Sequence, residues 1–347
     1  MNAVLSNSLL QIEVSAHGAE LTSILSLPDR KEYLFDADAK YWGRHAPILF
    51  PIVGSLKDKK LVINGQDWPM GQHGFARDMD FIQSLQSENS VCFTLESNGE
   101  TKAKYPYDFR LTVCYELSGA EIRVNWHVEN TGDQTMHYQI GGHPAFYCPV
   151  DSFLEKQSDY YLKFDTEEPI RYRLLNENGL LLDETYELLT DDGCFNIPET
   201  LFDRDALIVE GTQSKEVSLC RPDKKPYLSV LFDAPLYGIW SPARKQAPFI
   251  CIEPWWGRAD RADFAGDISD RDYDQALLPG EAREYSFVIR VDDILNRPEY
   301  LYHPENCPCV GGKERGCPNN GNCPACTESH HSRGGLTACE RKFVNEQ

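Results

Sequence analysis

Phe109-Arg110-Leu111-Thr112-Val113-Cys114-Tyr115-Glu116-Leu117 and Glu121-Ile122-Arg123-Val124-Asn125-Trp126-His127-Val128-Glu129 each alternate apolar and polar side chains. In an extended chain successive side chains point to opposite faces, so this alternation buries one face of a strand. The intervening Ser118-Gly119-Ala120 reads as a hairpin turn. Similar strand signals occur at 91–96, 161–164, 206–209, 217–220, 227–232, 238–240, 249–253 and 285–291. No segment sustains helical periodicity beyond three turns, and no internal repeat or low-complexity tract is found. Short strands separated by Gly, Pro, Asn and Asp clusters predict an all-β chain, a large antiparallel sandwich or barrel-like sandwich.

The 347 residues suffice for one large β domain or two ordinary ones, and 41% are hydrophobic, enough for a core. Against 34 basic residues stand 54 acidic ones, a formal charge of −20. Such a surface repels nucleic acid and anionic membranes, so neither is expected as a partner. It also disfavours a phosphorylated substrate unless a local arginine pocket overrides it. No apolar run approaches the roughly 20 residues of a membrane helix. The opening MNAVLSNSLLQIEVSAHGAE lacks a basic n-region and a small-residue cleavage site, so a cytoplasmic location is expected. Nothing in the sequence sets the oligomeric state.

Three islands carry the chemistry: Gln72-His73-Gly74-Phe75-Ala76-Arg77, Gly141-Gly142-His143-Pro144-Ala145-Phe146 and Ile252-Glu253-Pro254-Trp255-Trp256-Gly257-Arg258. Two imidazoles and a carboxylate form an acid/base set that works near neutral pH. The aromatics beside them suit a sugar, whose C–H face packs on a ring while its hydroxyls find polar partners. Gly141 and Gly142 permit a sharp turn or close approach, and Pro144 holds His143 extended. Glu253 ends an apolar run, where burial is costly without a partner or a task. The adjacent tryptophans raise its pKa and Arg258 lowers it. The structural alternatives are a turn-capping His143 and a Glu253–Arg258 ion pair. His73 sits in a tight turn with Arg77 four residues on. Arg44 is placed to bind vicinal hydroxyls or to pair with an acid. His45, His127 and His137 read as surface or structural residues. His73, His143 and Glu253 also match a 2-His-1-carboxylate iron site in composition, although their wide sequence spacing disfavours it.

Trp42-Gly43-Arg44-His45-Ala46-Pro47-Ile48-Leu49-Phe50-Pro51-Ile52-Val53-Gly54, the HGFARDMDF segment, GGHPAF, IEPWWGRAD and the late Leu278-Pro279-Gly280-Glu281 together resemble the aldose 1-epimerase, or galactose mutarotase-like, family. The similarity is greatest to its LacX-like bacterial branch and runs from about residue 3 to about 292. It implies a β-supersandwich, over residues 1–295, that binds a free monosaccharide and interconverts its anomers without a cofactor. On this resemblance Glu253 is the base that takes the C1 hydroxyl proton, and His143 is the acid that protonates the ring oxygen. His73 holds the ring-oxygen side, Arg44 binds substrate, and Asp205 does likewise, with Asp203 as its rival. The spelling departs from typical galactose mutarotases, where an Asn-Arg pair occupies the Arg44 region. A non-catalytic sugar-binding or sensing protein on the same fold, and a sugar-phosphate mutarotase with a pocket of Arg44, Arg77 and Arg258, are the alternatives.

The twelve cysteines divide evenly in number but not in spacing. Cys92, Cys114, Cys148, Cys194, Cys220 and Cys251 are scattered in apolar runs and are expected as free, buried thiols. Residues 292–304 read as a connector. Beyond it Cys307, Cys309, Cys317, Cys323, Cys326 and Cys339 crowd a Gly-, Pro- and Asn-rich tail of little aliphatic content, with His330 and His331 among them. Residues 296–347 are thus expected as a small irregular module resembling a Cys-rich microbial domain of unknown function. Too short to fold on an apolar core, it needs a staple, and structural zinc on a subset of these thiols is expected over a disulfide knot.

Overall fold

A computed structural model describes residues 2–151, 154–295, 307–309, 314 and 316–346. Two large antiparallel sheets dominate it. The nine-stranded sheet runs from Cys194–Asn196 at one edge through Tyr161–Phe164, Glu216–Cys220, Pro226–Phe232, Ala282–Arg290, Glu121–Asn130, Phe109–Ser118 and Ser90–Glu96 to Ile82–Gln86 at the other. The alternating pair sits near its middle. Ser118 lies opposite Glu121, so Gly119 and Ala120 form a two-residue turn, and Gly119 takes the positive φ of 57° that the turn requires. Ile122, Val124, Trp126 and Val128 are buried, while Arg123 and Glu129 on the same strand face outward. Each fully buried aliphatic or aromatic side chain contributes roughly 1.5–3 kcal/mol relative to exposure.

The second sheet places the site. Its order is Leu181–Leu188, Ile170–Leu175, Leu207–Glu210, Leu236–Trp240, Phe249–Trp256, Ile140–Gly142 and Ile48–Leu49, with Ala145–Tyr147 also paired to Phe249–Trp256. Phe249–Trp256 is central and buried on both faces, which explains its continuous apolar spelling. Ile250 and Ile252 join the main core between the sheets. The two-residue period of the strand turns Cys251, Glu253 and Trp255 to the opposite face. Cys251 and Trp255 there belong to two smaller apolar clusters. Glu253 lies between them.

The cysteine expectation is corrected at one pair. Cys92 and Cys114 sit directly opposite each other on neighbouring strands and form a disulfide, with Cα atoms 4.1 Å apart. The alternation that buries these strands also brings the two sulfurs to one face, which single-strand reading does not reveal. Cys148, Cys194, Cys220 and Cys251 are free and buried.

Asp292–Leu295 forms one helical turn; the rest of the expected connector, residues 296–304, lies outside the described residues, as does most of the start of the tail. The tail is less irregular than expected, with helices at Cys323–His331 and Ala338–Glu346. Asn322 caps the first, its side chain accepting from the Ala325 N–H at 3.2 Å. The Thr327 hydroxyl donates to the Pro28 carbonyl at 3.1 Å, joining tail to sandwich.

Candidate active site

The three islands converge on one cavity of about 270 Å³, lined among others by Trp42, His73, His143, Asp205, Trp240 and Glu253. His143 follows the Ile140–Gly142 strand, and its N–H donates to the Pro47 carbonyl at 3.1 Å. Trp42 stacks on the His143 ring at 4.7 Å between centroids, while Trp240 and His73 meet it edge-on. The imidazole is thereby fixed in orientation. Its Nε2 lies 3.2 Å from Glu253 Oε2. Among the described residues neither Glu253 Oε2 nor His143 Nδ1 has a well-aligned hydrogen-bond partner. Buried polar atoms left in this state cost free energy, which a hydroxyl-rich ligand recovers.

Burial sets the protonation of the pair. Desolvation, reinforced by the Asp205 charge, holds the Glu253 carboxyl well above its ordinary range, with the Trp255 indole opposing the shift. Desolvation and the Arg77 charge push His143 down to about 3. Burial thus favours a carboxylic acid beside a neutral imidazole over the charged pair. Arg258 does not act as the sequence suggests. It is held by Glu210 at 2.8 Å and by Asp272 at 2.6 Å. Two carboxylates near in space but far in sequence outcompete the one five residues away.

His73 has a defined tautomer. Its backbone N–H donates to the Gly54 carbonyl at 2.9 Å, and its Nδ1 accepts from the Gly54 N–H at 3.1 Å. The proton is thus on Nε2. Desolvation, followed by the His143 charge, lowers its pKa well below the ordinary value, so it stays a neutral donor. His73 and Gly74 both take positive φ, 64° and 72°. A Cβ on Gly74 would lie 2.2 Å from the Phe50 carbonyl oxygen, so glycine is required where the turn crosses that strand end.

Gly141 has a different task from the one its sequence suggests. It lies within a strand opposite Trp255, and a Cβ there would come within 2.6 Å of the indole. Gly238 leaves room on the other side, where a Cβ would meet the same ring at 2.4 Å. The two glycines seat Trp255 flat across the sheet as a wall of the cavity.

Asp205 lines the cavity, whereas its rival Asp203 faces a separate cleft. Asp205 is at φ 73° and accepts from the Ala206 N–H at 2.9 Å. Arg44 stands outside the lining and pairs with Asp78 at 2.7 Å. Arg77 lines the cavity, as does Arg258, and the Arg77 Nη2 donates to the Gln72 carbonyl at 2.8 Å. Its buried Nε has no hydrogen-bond partner among the described residues, and burial lowers its pKa to about 10. The HGFAR spelling contained this residue, but spacing alone does not rank it above Arg44. Trp42 was likewise present in a quoted motif without an assigned place, and Trp240 ends the expected 238–240 strand.

Of the iron-type set, His73 stands apart. Among the described residues the group whose ligand atoms lie within 4.8 Å of one another is His143, Cys251 and Glu253. Burial keeps the Cys251 thiol well above its usual pKa, while metal ligation requires the thiolate. His137 serves structure, paired with Asp274 at 2.6 Å. His127 lies on the polar strand face, 3.5 Å from Glu284.

Two stacked antiparallel sheets carrying a buried imidazole–carboxylate pair in a tryptophan-walled pocket define a mutarotase-like β-supersandwich. The aldose 1-epimerase family model matches residues 1–290. The chromosomal LacX protein of Lactococcus lactis subsp. lactis is 35% identical over 300 residues, covering 84% of this chain and 99% of its own. A galactose mutarotase related enzyme from Lactobacillus acidophilus superposes with TM-score 0.78 at 36% identity, covering 84% and 97% of the two chains. A galactose mutarotase-like protein from Lactobacillus casei gives TM-score 0.78 at 28% identity, over 84% and 99%. The chain belongs to the aldose 1-epimerase family. No helix among the described residues is long and apolar enough to cross a membrane.

Proposed function

We propose that this protein interconverts the α and β anomers of a free monosaccharide by acid/base ring opening. One observation carries the reading: His143 Nε2 and Glu253 Oε2 lie 3.2 Å apart inside a cavity walled by aromatic rings. Ring opening needs a base for the C1 hydroxyl proton and an acid for the ring oxygen. As the C1–O bond to the ring oxygen breaks, C1 becomes a carbonyl and the ring oxygen a hydroxyl. After rotation about C1–C2 the reverse transfers close the ring on the other face.

Glu253 serves as base and His143 as acid in this reading. The resting pair holds its proton on the carboxyl, and transfer across the 3.2 Å gap to Nε2 generates the working ionic form. No proton exchange with solvent is needed, because the pair keeps one proton throughout. The His73 Nε2–H donates to the ring-oxygen side, Asp205 accepts from sugar hydroxyls, and the tryptophan faces pack on the C–H face. Polarimetry of freshly dissolved α-D-glucose and α-D-galactose tests this. Wild type is expected to abolish the slow spontaneous drift, and Glu253→Gln to lose about 10²–10⁴-fold. Equal rates for wild type, variant and buffer overturn the enzyme reading in favour of a sugar-binding protein.

A second reading, a sugar phosphate as substrate, is supported by Arg77. Arg77 lines the cavity, its buried Nε makes no hydrogen bond among the described residues and lies 3.9 Å from Asp78, and the Arg44 charge is beside it. Turnover of hexose 6-phosphates at least tenfold above that of free hexoses, and lost in Arg77→Gln, supports it; equal turnover rejects it.

A further inference from the structure

Glu253 and Trp255 stand two residues apart on one face of the Phe249–Trp256 strand. The pairing register fixes where the indole lies. Trp255 is opposite Gly141 on one neighbouring strand, and Glu253 is opposite Gly238 on the other. A Cβ on Gly141 would lie 2.6 Å from Trp255 Cδ1, and one on Gly238 would lie 2.4 Å from Cη2 and 2.6 Å from Cζ2. The ring edge that carries Nε1 therefore runs from Gly141 to Gly238, crossing the strand beside Glu253. Trp255 Nε1 is buried with no hydrogen-bond acceptor among the described residues, and Glu253 Oε2 is buried with no aligned donor. A donor and an acceptor left this way cost free energy until they meet. The indole N–H also lowers the Glu253 pKa against the rise that burial and Asp205 impose.

Trp42 bears on the other half of the pair. Its ring stacks on His143 at 4.7 Å between centroids, tilted by 27°, and Phe249 stacks on Trp42 at 5.8 Å. An indole face within about 6 Å of a cation attracts it, so this contact favours the protonated imidazole. The other titratable or charged side chains around Glu253 are Cys251 on its own strand and, along the cavity wall, His73, Arg77, Asp205 and Arg258. Arg258 is engaged by Glu210 and Asp272.

We infer that Trp255 and Trp42 are positioning residues for proton transfer within the pair: the Trp255 N–H holds the Glu253 carboxylate, and the Trp42 face holds the His143 imidazolium. The inference rests on the ring-opening reading, in which only the ionic form offers a base at Glu253 and an acid at His143. The carboxyl O–H bond breaks, an Nε2–H bond forms across the 3.2 Å gap, and no other atom moves between the partners. Burial favours the neutral form, and the two indoles offset it.

NMR of the isotope-labelled full chain tests the carboxylate half without turnover. The indole N–H resonance that Trp255→Phe removes is expected to move downfield as rising pH ionises Glu253, and to stay still in Glu253→Gln. A resonance indifferent to Glu253 overturns the inference even if the protein is active on sugars. Polarimetry on hexoses reads the catalytic consequence. Trp255→Phe keeps a ring and is expected to lower kcat about tenfold or more with KM nearly unchanged. The alkaline limb of its pH profile is expected at higher pH, because a carboxyl deprived of the donor holds its proton longer. Trp42→Leu is expected to lower kcat about threefold or more and to move the acidic limb to lower pH, because an imidazole without the indole face protonates less readily. Either variant raising KM with kcat and its limb unmoved reduces that indole to a wall and overturns the inference. Wild type without turnover defeats the ring-opening reading and the catalytic role inferred on it, whereas the NMR titration separately decides the Trp255–Glu253 hydrogen bond.

Discussion

The Glu253–His143 pair makes stability depend on pH in a way the two residues share. With the ordinary side-chain values of 4.5 and 6.5, the unfolded pair holds two protons below about 4.5, one between, and none above about 6.5. Folding raises Glu253 well above its ordinary value and lowers His143 to about 3, so the folded pair favours holding one proton over this range. Stability rises with pH where the unfolded state binds more protons. The contribution of the pair is therefore lost as pH falls from about 4.5 toward 3, flat between, and lost again as pH rises above 6.5 toward the folded pKa of Glu253. Denaturant titrations of wild type and Glu253→Gln at several pH values above 6.5 check this. The variant, with neutral His143 in both states, is expected to lose that limb; an unchanged slope refutes the assignment. The identities of both groups were legible in sequence from an ionisable residue set among glycines and tryptophans. Their protonation was not, because the partners of Arg258 and the reach of Asp205 come from distant strands.

At the scale of elements, the Phe249–Trp256 strand and its neighbours hold the site rigid through the seat of Trp255. Gly238→Ala places a methyl 2.4 Å from the indole. Overpacking of this kind costs about 1–3 kcal/mol. Reduced midpoint of thermal unfolding, together with a raised KM for sugar, is the expected outcome; a variant with unchanged KM separates Trp255 from the binding wall. The core strands were read from sequence within one to three residues at most ends, since one buried face imposes strict alternation. The Leu10–Ser15 and Glu20–Ser26 strands of the N-terminal sheet and the Ile170–Leu175 and Leu181–Leu188 hairpin were passed over. The hairpin pair is rich in charge and half exposed, so its alternation is masked. Met136–Tyr138 and Ile140–Gly142, one residue apart, are strands of different sheets, a switch that no periodicity encodes.

For the whole molecule, the sandwich contains every residue of the three apolar clusters. A chain ending at Leu295 is accordingly expected to fold cooperatively and to keep the sugar activity of the full chain, losing the Thr327–Pro28 hydrogen bond among its tail contacts. Circular dichroism melting and polarimetry of that truncation check it. Collapse of either places the boundary of the independent unit further along. The cysteine crowding announced a separate unit in the sequence, but its two helices were hidden because each is only nine residues long, too short to establish a helical period.

Of the six tryptophans, Trp42, Trp240 and Trp255 all border the same pocket. The molecule thus carries its own optical gauge. A sugar that slides between these indoles and His143 displaces water from their faces and alters their emission, so occupancy can be followed by intrinsic fluorescence in unlabelled protein, even in a variant that turns nothing over.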